Sequence, residues 1–154
     1  MPVLANPLLQ TEIATSCGTL IFNKNGQILL CHVTGTNYWD LPKGIRESGE
    51  SYLQAAQREL MEETGLAFDS ALFEEIGGFA YQKHKRLHLY KVCAPDCLDS
   101  LDHLVCTSYF SHHATGESTP EMDGFCWASR DQIRSLCTLP MAQQLSASDW
   151  PLHG

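Results

Sequence analysis

Apolar residues open the chain in two short blocks, at 17–22 and 27–33, separated by Asn23-Lys24-Asn25-Gly26. Both blocks favour β structure, and Asn-Gly between such runs is the strongest short hairpin signal, so residues 17–33 are expected to form a β-hairpin. Pro42 limits any strand that follows to the residues before it. From Leu53 the period changes: Leu53, Ala56 and Leu60 recur at helical spacing and make one apolar stripe. Ser51 and Gln54 form a capping box, and Gly65 stands where a left-handed C-terminal cap belongs, which predicts a helix over residues 52–64. Residues 72–81 read as a strand bent at Gly77-Gly78, 82–86 as a basic turn and 87–93 as the returning strand. In that last strand the alternation does not identify a buried face. Residues 94–102 read as a loop, 103–110 as a strand and 111–120 as a mobile loop. A further strand runs through Cys126 and Trp127, and Ser129 caps a short helix over 130–137. A last short helix is expected near 142–146. Residues 1–14 have no period and read as an extended lead-in or a first strand. Two strand pairs, a central helix and a C-terminal helix point to an α+β fold, in a single domain spanning 1–154.

The central helix carries unusual charge. Glu59 and Glu63 are four residues apart and Glu62 lies between them, so the three carboxylates fall in a sector of roughly 100°, expected on the side away from Leu53 and Leu60. Like charges at this spacing repel, and the helix C-terminus disfavours anions. An exposed charged face is the ordinary explanation of such a helix. A divalent cation is the other, because hard cations select clustered oxygen ligands; magnesium fits, and manganese can substitute. Glu50 precedes the helix, and a through-space ion pair with Arg58 would hold the loop against the helix and orient Glu59. Gly44 would let the backbone approach the metal and offer a carbonyl ligand.

Composition narrows the partners. The chain has 154 residues and a formal net charge of −8, which argues against duplex nucleic acid as a partner. A polyphosphate would also be repelled unless metal ions screened it, so metal dependence becomes a requirement of any phosphate chemistry here. The N-terminal residues do not follow the signal-peptide pattern, and no stretch approaches the about 20 apolar residues that span a bilayer. Seven cysteines, several inside apolar runs, suit reduced thiols in a cytoplasmic protein. Cys93 and Cys97 lack a second pair at zinc spacing, and adjacent His112 and His113 point in different directions in most backbones, which disfavours a shared metal. Lys43 is placed to meet a phosphate. Lys83, Lys85 and Arg86 form the one dense basic cluster and could grip outer phosphates, although hairpin tips are usually polar in any case. Tyr81 could stack on a base; a core tyrosine is the alternative.

The spacing Gly44, five residues, Glu50, seven residues, Arg58-Glu59-Leu60, one residue, Glu62-Glu63, one residue, Gly65-Leu66 matches the signature of the Nudix hydrolase family at every fixed position. The resemblance is carried by these 23 residues, with weaker echoes from about residue 38 to 133. It implies an α/β/α sandwich with a mixed sheet and a loop–helix–loop catalytic motif. It implies magnesium-dependent hydrolysis of a diphosphate linkage in a nucleoside diphosphate joined to some further group. Glu59, Glu62 and Glu63 with the Gly44 carbonyl would hold the metal, and Glu50 and Arg58 would support them. Many members add a glutamate from a later loop; Glu121 is the first candidate, with Glu117 and Asp123 as alternatives. The general base is then Glu59, Glu62 or Glu121. The run Trp39-Asp40-Leu41-Pro42-Lys43-Gly44 resembles the approach to the motif in members acting on dinucleoside polyphosphates and diphosphoinositol polyphosphates, which puts a small-molecule nucleotide first and brings in Trp39 as a substrate contact. Members are often dimers, so a homodimer is one assembly open to the chain. A catalytically silent nucleotide-binding module would be expected to lack one of the motif carboxylates, and all are present.

Overall fold

The computed structural model describes residues 13–98 and 100–147, so residues 1–12 of the lead-in expected over 1–14, and the tail after 147, lie outside the described residues. Strands β1 (Ala14–Phe22) and β2 (Ile28–Val33) flank the Asn-Gly turn as expected. Within it, Asn23 Oδ1 accepts from the N–H groups of Asn25 and Gln27, and Gly26 takes φ 75°. The hairpin pairs only at its neck, Phe22 with Ile28. Beyond that point the strands part and take other neighbours. β1 runs parallel to β6 (Lys85–Cys93) along its full length, and β2 pairs with β9 (Met122–Ala128) and with the two-residue β3 (Trp39–Asp40). β4 (Lys43–Ile45) joins β1 antiparallel, Cys17 opposite Gly44, and β5 (Glu74–Gln82) closes the other edge. The result is a seven-stranded mixed sheet.

Both faces of this sheet are covered, which is why the alternation in β6 was unreadable. Leu87 and Leu89 face one side with Leu20, Phe22, Ile28 and Leu30; Ile133 of α2 (Ile133–Leu136) and Met141 and Leu145 of α3 (Leu139–Ala147) pack on them. Tyr90 and Val92 face the other side, where Ala55, Ala56 and Leu60 of the central helix α1 (Tyr52–Thr64) cover Cys17, Ile21 and Leu29. A strand buried on both faces reads as a continuous apolar run. This is an α+β sandwich of helix, mixed sheet and helix, as the sequence led one to expect.

Helix α1 has the predicted bounds. Ser51 Oγ accepts from the Gln54 N–H, the Gln54 side chain returns a bond to Ser51, and Gly65 closes the end at φ 81°. Its last carbonyls are satisfied from elsewhere: Val105 N–H donates to Thr64 O at 3.1 Å and Thr107 N–H to Glu62 O at 2.7 Å. That use of the backbone overturns the strand expected over 103–110. Residues 103–108 are irregular, with Leu104 and Cys106 buried, because their donors serve a helix end rather than a ladder. Strand structure begins only at β7 (Tyr109–Ser111), which pairs with β8 (Ser118–Pro120), so the segment read as a loop over 111–120 ends in a small hairpin.

Candidate active site

Three segments meet around the C-terminal half of α1: the β3–β4 approach, the loop carrying Glu50, and the stretch from Thr107 to Glu121. The motif arginine ties two of them together. Arg58 Nε and Nη2 donate to the two oxygens of Glu50 at 2.6 and 3.0 Å, its Nη1 reaches Glu59 at 2.7 Å and Glu62 at 3.3 Å, and Nη2 also donates to the Ile45 carbonyl at 3.1 Å. The fork geometry of a guanidinium permits this sharing; an ammonium would not. Glu50 accepts the Glu47 N–H as well. The hydrogen bond from Arg58, then that from Glu47, lowers the Glu50 pKa to about 2, and Glu50 in turn holds the Arg58 guanidinium above its ordinary value.

The three helix carboxylates are not equivalent. Glu62 is 39% exposed, Glu59 12%, and Glu63 is buried at 2%. The ridge therefore borders the apolar stripe instead of standing opposite it, a correction to the sequence reading. Glu63 projects beneath the approach strand and accepts the Lys43 N–H at 3.1 Å. Burial, then the Glu59 charge, pushes its pKa up to about 9. Burial also raises Glu59, against the pull of Arg58, with Glu62 and Glu121 adding repulsion. Glu121 is thus close enough for its charge to act on Glu59, and its Oε1 accepts the Ser108 hydroxyl at 2.9 Å. Of the two alternatives to it, Asp123 is engaged by His32 Nδ1, and Glu117 is exposed in the β7–β8 turn. His112 and His113 stack on each other instead of pointing apart, with His112 half-buried and His113 exposed.

Gly44 has a role the sequence reading did not anticipate. A Cβ there would lie 2.1 Å from Glu59 Cδ, so the Glu59 carboxylate occupies the space a side chain would need. Next to it, the Lys43 side chain crosses β1 over Gly18, where a Cβ would meet Lys43 Cβ at 2.8 Å. Its ammonium reaches Asp40 at 3.0 Å, with Tyr81 close by. Burial lowers the Lys43 pKa, and Asp40, Tyr81 and Glu63 together more than offset it, so the ammonium is held above the ordinary value. Asp40 was not singled out from sequence; its spacing to Lys43 across Pro42 was the available signal. Tyr81 is half-buried against the α3-side core and bonds Thr138, and Trp39 packs on the same core with its ring edge-on to His32 at 5.0 Å. Lys83 and Arg86 stand exposed at the β5–β6 hairpin, beside the N-terminal end of β1.

A divalent cation is compatible with these groups. Four acidic side chains repel one another here, and one of them, Glu63, is buried with a single backbone donor and a pKa near 9. Such a carboxylate is costly to ionise unless a cation joins it. Among the described residues no group of three or more His, Cys, Asp or Glu side chains stands gathered to hold a metal ion. Magnesium needs no such group, because it keeps several waters and takes one or two protein carboxylates together with substrate phosphates.

Comparison with known proteins identifies the family. The NUDIX domain model matches residues 13–148. An uncharacterized 17.7 kDa protein of Enterobacteria phage T4 is 33% identical over 126 residues, covering 76% of this chain and 83% of that protein. The RNA pyrophosphohydrolase of Shigella boydii is 32% identical over 118 residues, 73% of this chain, and the match spans 66% of that enzyme's length. A bifunctional NMN adenylyltransferase/ADP ribose pyrophosphatase from Francisella tularensis, solved with AMP and a manganese ion, superposes with a TM-score of 0.64 at 18% identity over 94% of this chain and 44% of that one. With its domain model matched almost from end to end of the described residues and its motif folded as loop, helix and loop, this chain belongs to the Nudix hydrolases, a family of pyrophosphohydrolases.

Proposed function

We propose that the chain hydrolyses a phosphoanhydride bond in a nucleotide, with magnesium or manganese held by Glu59, Glu62, Glu63 and the Gly44 carbonyl, and that dinucleoside polyphosphates lead the substrate classes. The observation that carries this reading is the graded burial of three carboxylates on one helix, braced by an arginine shared among Glu50, Glu59 and Glu62. When bound, the cation polarises phosphate oxygens and lowers the pKa of water. The chain's own groups divide the remaining work. Arg58 fixes Glu59 and, through Glu50, the loop before the helix. Glu63 is held from the backbone of Lys43, so the approach strand and the helix are in register. Glu62 is the most exposed of the three and the one best placed to take the proton of an attacking water. Lys43 meets a phosphate, and Trp39 and Tyr81 line the same side. Lys83 and Arg86 stand farther out and would serve only the distal part of a long substrate.

The test is a panel of dinucleoside polyphosphates, nucleoside triphosphates, ADP-ribose and nucleotide sugars, with and without Mg²⁺, with products identified. Metal-stimulated cleavage of one class is expected; tight nucleotide binding without any product would favour a silent binding module instead. The identity to an RNA pyrophosphohydrolase favours a second reading, removal of pyrophosphate from a 5′-triphosphorylated RNA end. The net charge of −8 counts against an extended RNA footprint, and a short triphosphorylated RNA in the same panel decides between them.

A further inference from the structure

Asp40 has two acceptor oxygens in two separate uses. Oδ1 accepts the Leu41 N–H at 2.8 Å, and Oδ2 lies 3.0 Å from Lys43 Nζ. Asp40 is fixed in the β3 pairing, opposite Cys31, and Pro42 stiffens the short link to Lys43. Both side chains are mostly withdrawn from solvent, at 19% and 18% exposure. A lysine on a surface strand would otherwise sample many rotamers, and ordering it on binding would cost affinity. Here one of the three ammonium donors is spent on Asp40, which leaves two to meet an anion. The other end of the same residue donates its N–H to Glu63. Lys43 is therefore held at both ends, its backbone against Glu63 of the carboxylate cluster and its ammonium beside Asp40 and Tyr81.

We propose that Asp40 is a positioning residue that acts through Lys43, holding its ammonium ready for a substrate phosphate. The proposal rests on the hydrolase reading above and on Lys43 as a phosphate contact. Asp40 itself touches neither substrate nor metal. Asparagine cannot replace it, because a single acceptor oxygen can serve either Leu41 N–H or Lys43 Nζ and the remaining NH₂ faces a donor.

The experiment is a double-mutant cycle on the best substrate of the panel, using Asp40→Asn, Lys43→Met and the pair, with kcat and KM measured separately and melting followed for each. Lost pre-ordering of a binding group raises KM by about tenfold in D40N with kcat within about twofold of wild type. In the Lys43→Met background, Asp40→Asn has no further effect on KM. Asp40→Glu, which keeps two acceptor oxygens, stays nearer wild type than D40N. Asp40→Ser caps Leu41 N–H and falls short of Lys43, and it repeats the cycle if D40N does not melt cooperatively. An unchanged KM in D40N, or the same fold-increase with and without Lys43, overturns the proposal. A Lys43→Met protein with wild-type KM also overturns it while leaving the hydrolase reading standing. A wild-type protein inactive on every compound ends both.

Discussion

The Glu59 carboxylate rests where a Cβ on residue 44 would be: the distance from that position to Glu59 Cδ is 2.1 Å. The motif glycine and the motif glutamate are thus one packing unit, fifteen positions apart in sequence. Gly44→Ala forces the carboxylate away from its Arg58 contact, since the backbone of residue 44 is pinned in the sheet opposite Cys17. Overpacking of this kind costs about 1–3 kcal/mol in stability, and a displaced ligand costs about a hundredfold in turnover. Urea melts and metal-dependent kcat measure the two effects. Full activity in G44A would mean that Glu59 has room to spare.

Glu63 predicts how the metal-free protein responds to pH. Its pKa is pushed up to about 9 from an ordinary 4.5, so the folded state binds a proton that the unfolded state gives up. Stability of the metal-free protein should fall as pH rises from 4.5 toward 9. Glu63→Gln removes the titrating group and should flatten that slope. Mg²⁺ or Mn²⁺ should raise the melting temperature of wild type at alkaline pH and leave the variant unmoved. Turnover in E63Q should drop by about a hundredfold or more. An unaltered metal-dependent rate would remove Glu63 from the site.

Glu50 predicts the opposite limb. Arg58 holds its pKa down at about 2, so the stability this pair provides is fully present above pH 4.5 and is lost as pH falls toward 2. The gap in melting temperature between wild type and Glu50→Gln should therefore close across that interval. A gap independent of pH would show that the Glu50 charge contributes nothing through Arg58.

Arg58→Lys retains charge and loses the fork that joins Glu50, Glu59 and Ile45 O. Outer contacts of this type change metal affinity or activity by about 10- to 100-fold. Titration of activity against Mg²⁺ should show a higher half-saturating concentration in R58K, and an identical curve would show that a point charge suffices.

Leu60, fully buried on the sheet-facing side of α1, tests the packing on that side of the sheet. Leu60→Ala should cost about 2–5 kcal/mol in urea unfolding.

The bounds of α1, its capping box and its glycine terminus were legible because they depend on residues three to four positions apart. So was the Glu50–Arg58 pair, because opposite charges stand at the motif's spacing with the helix start between them. The strand expected over 103–110 was not legible, because its amides turn to the carbonyls of Glu62 and Thr64, and nothing local to residues 105 and 107 announces a helix end. Asp40 escaped notice for a related reason: its two oxygens are assigned only once the approach strand is folded.

The sequence by itself determined the family motif, the helix that bears it and the crowding of acids along that helix, since these follow from spacing along one element. Tertiary structure alone decided which acid is buried, which later glutamate faces Glu59, and why residue 44 has no side chain. Those outcomes depend on which strand lies beside which. The opened hairpin, the parallel β1–β6 pairing and the Lys43 backbone above Glu63 are set by contacts between distant segments, and burial is a property of the assembled layers that no single stretch carries.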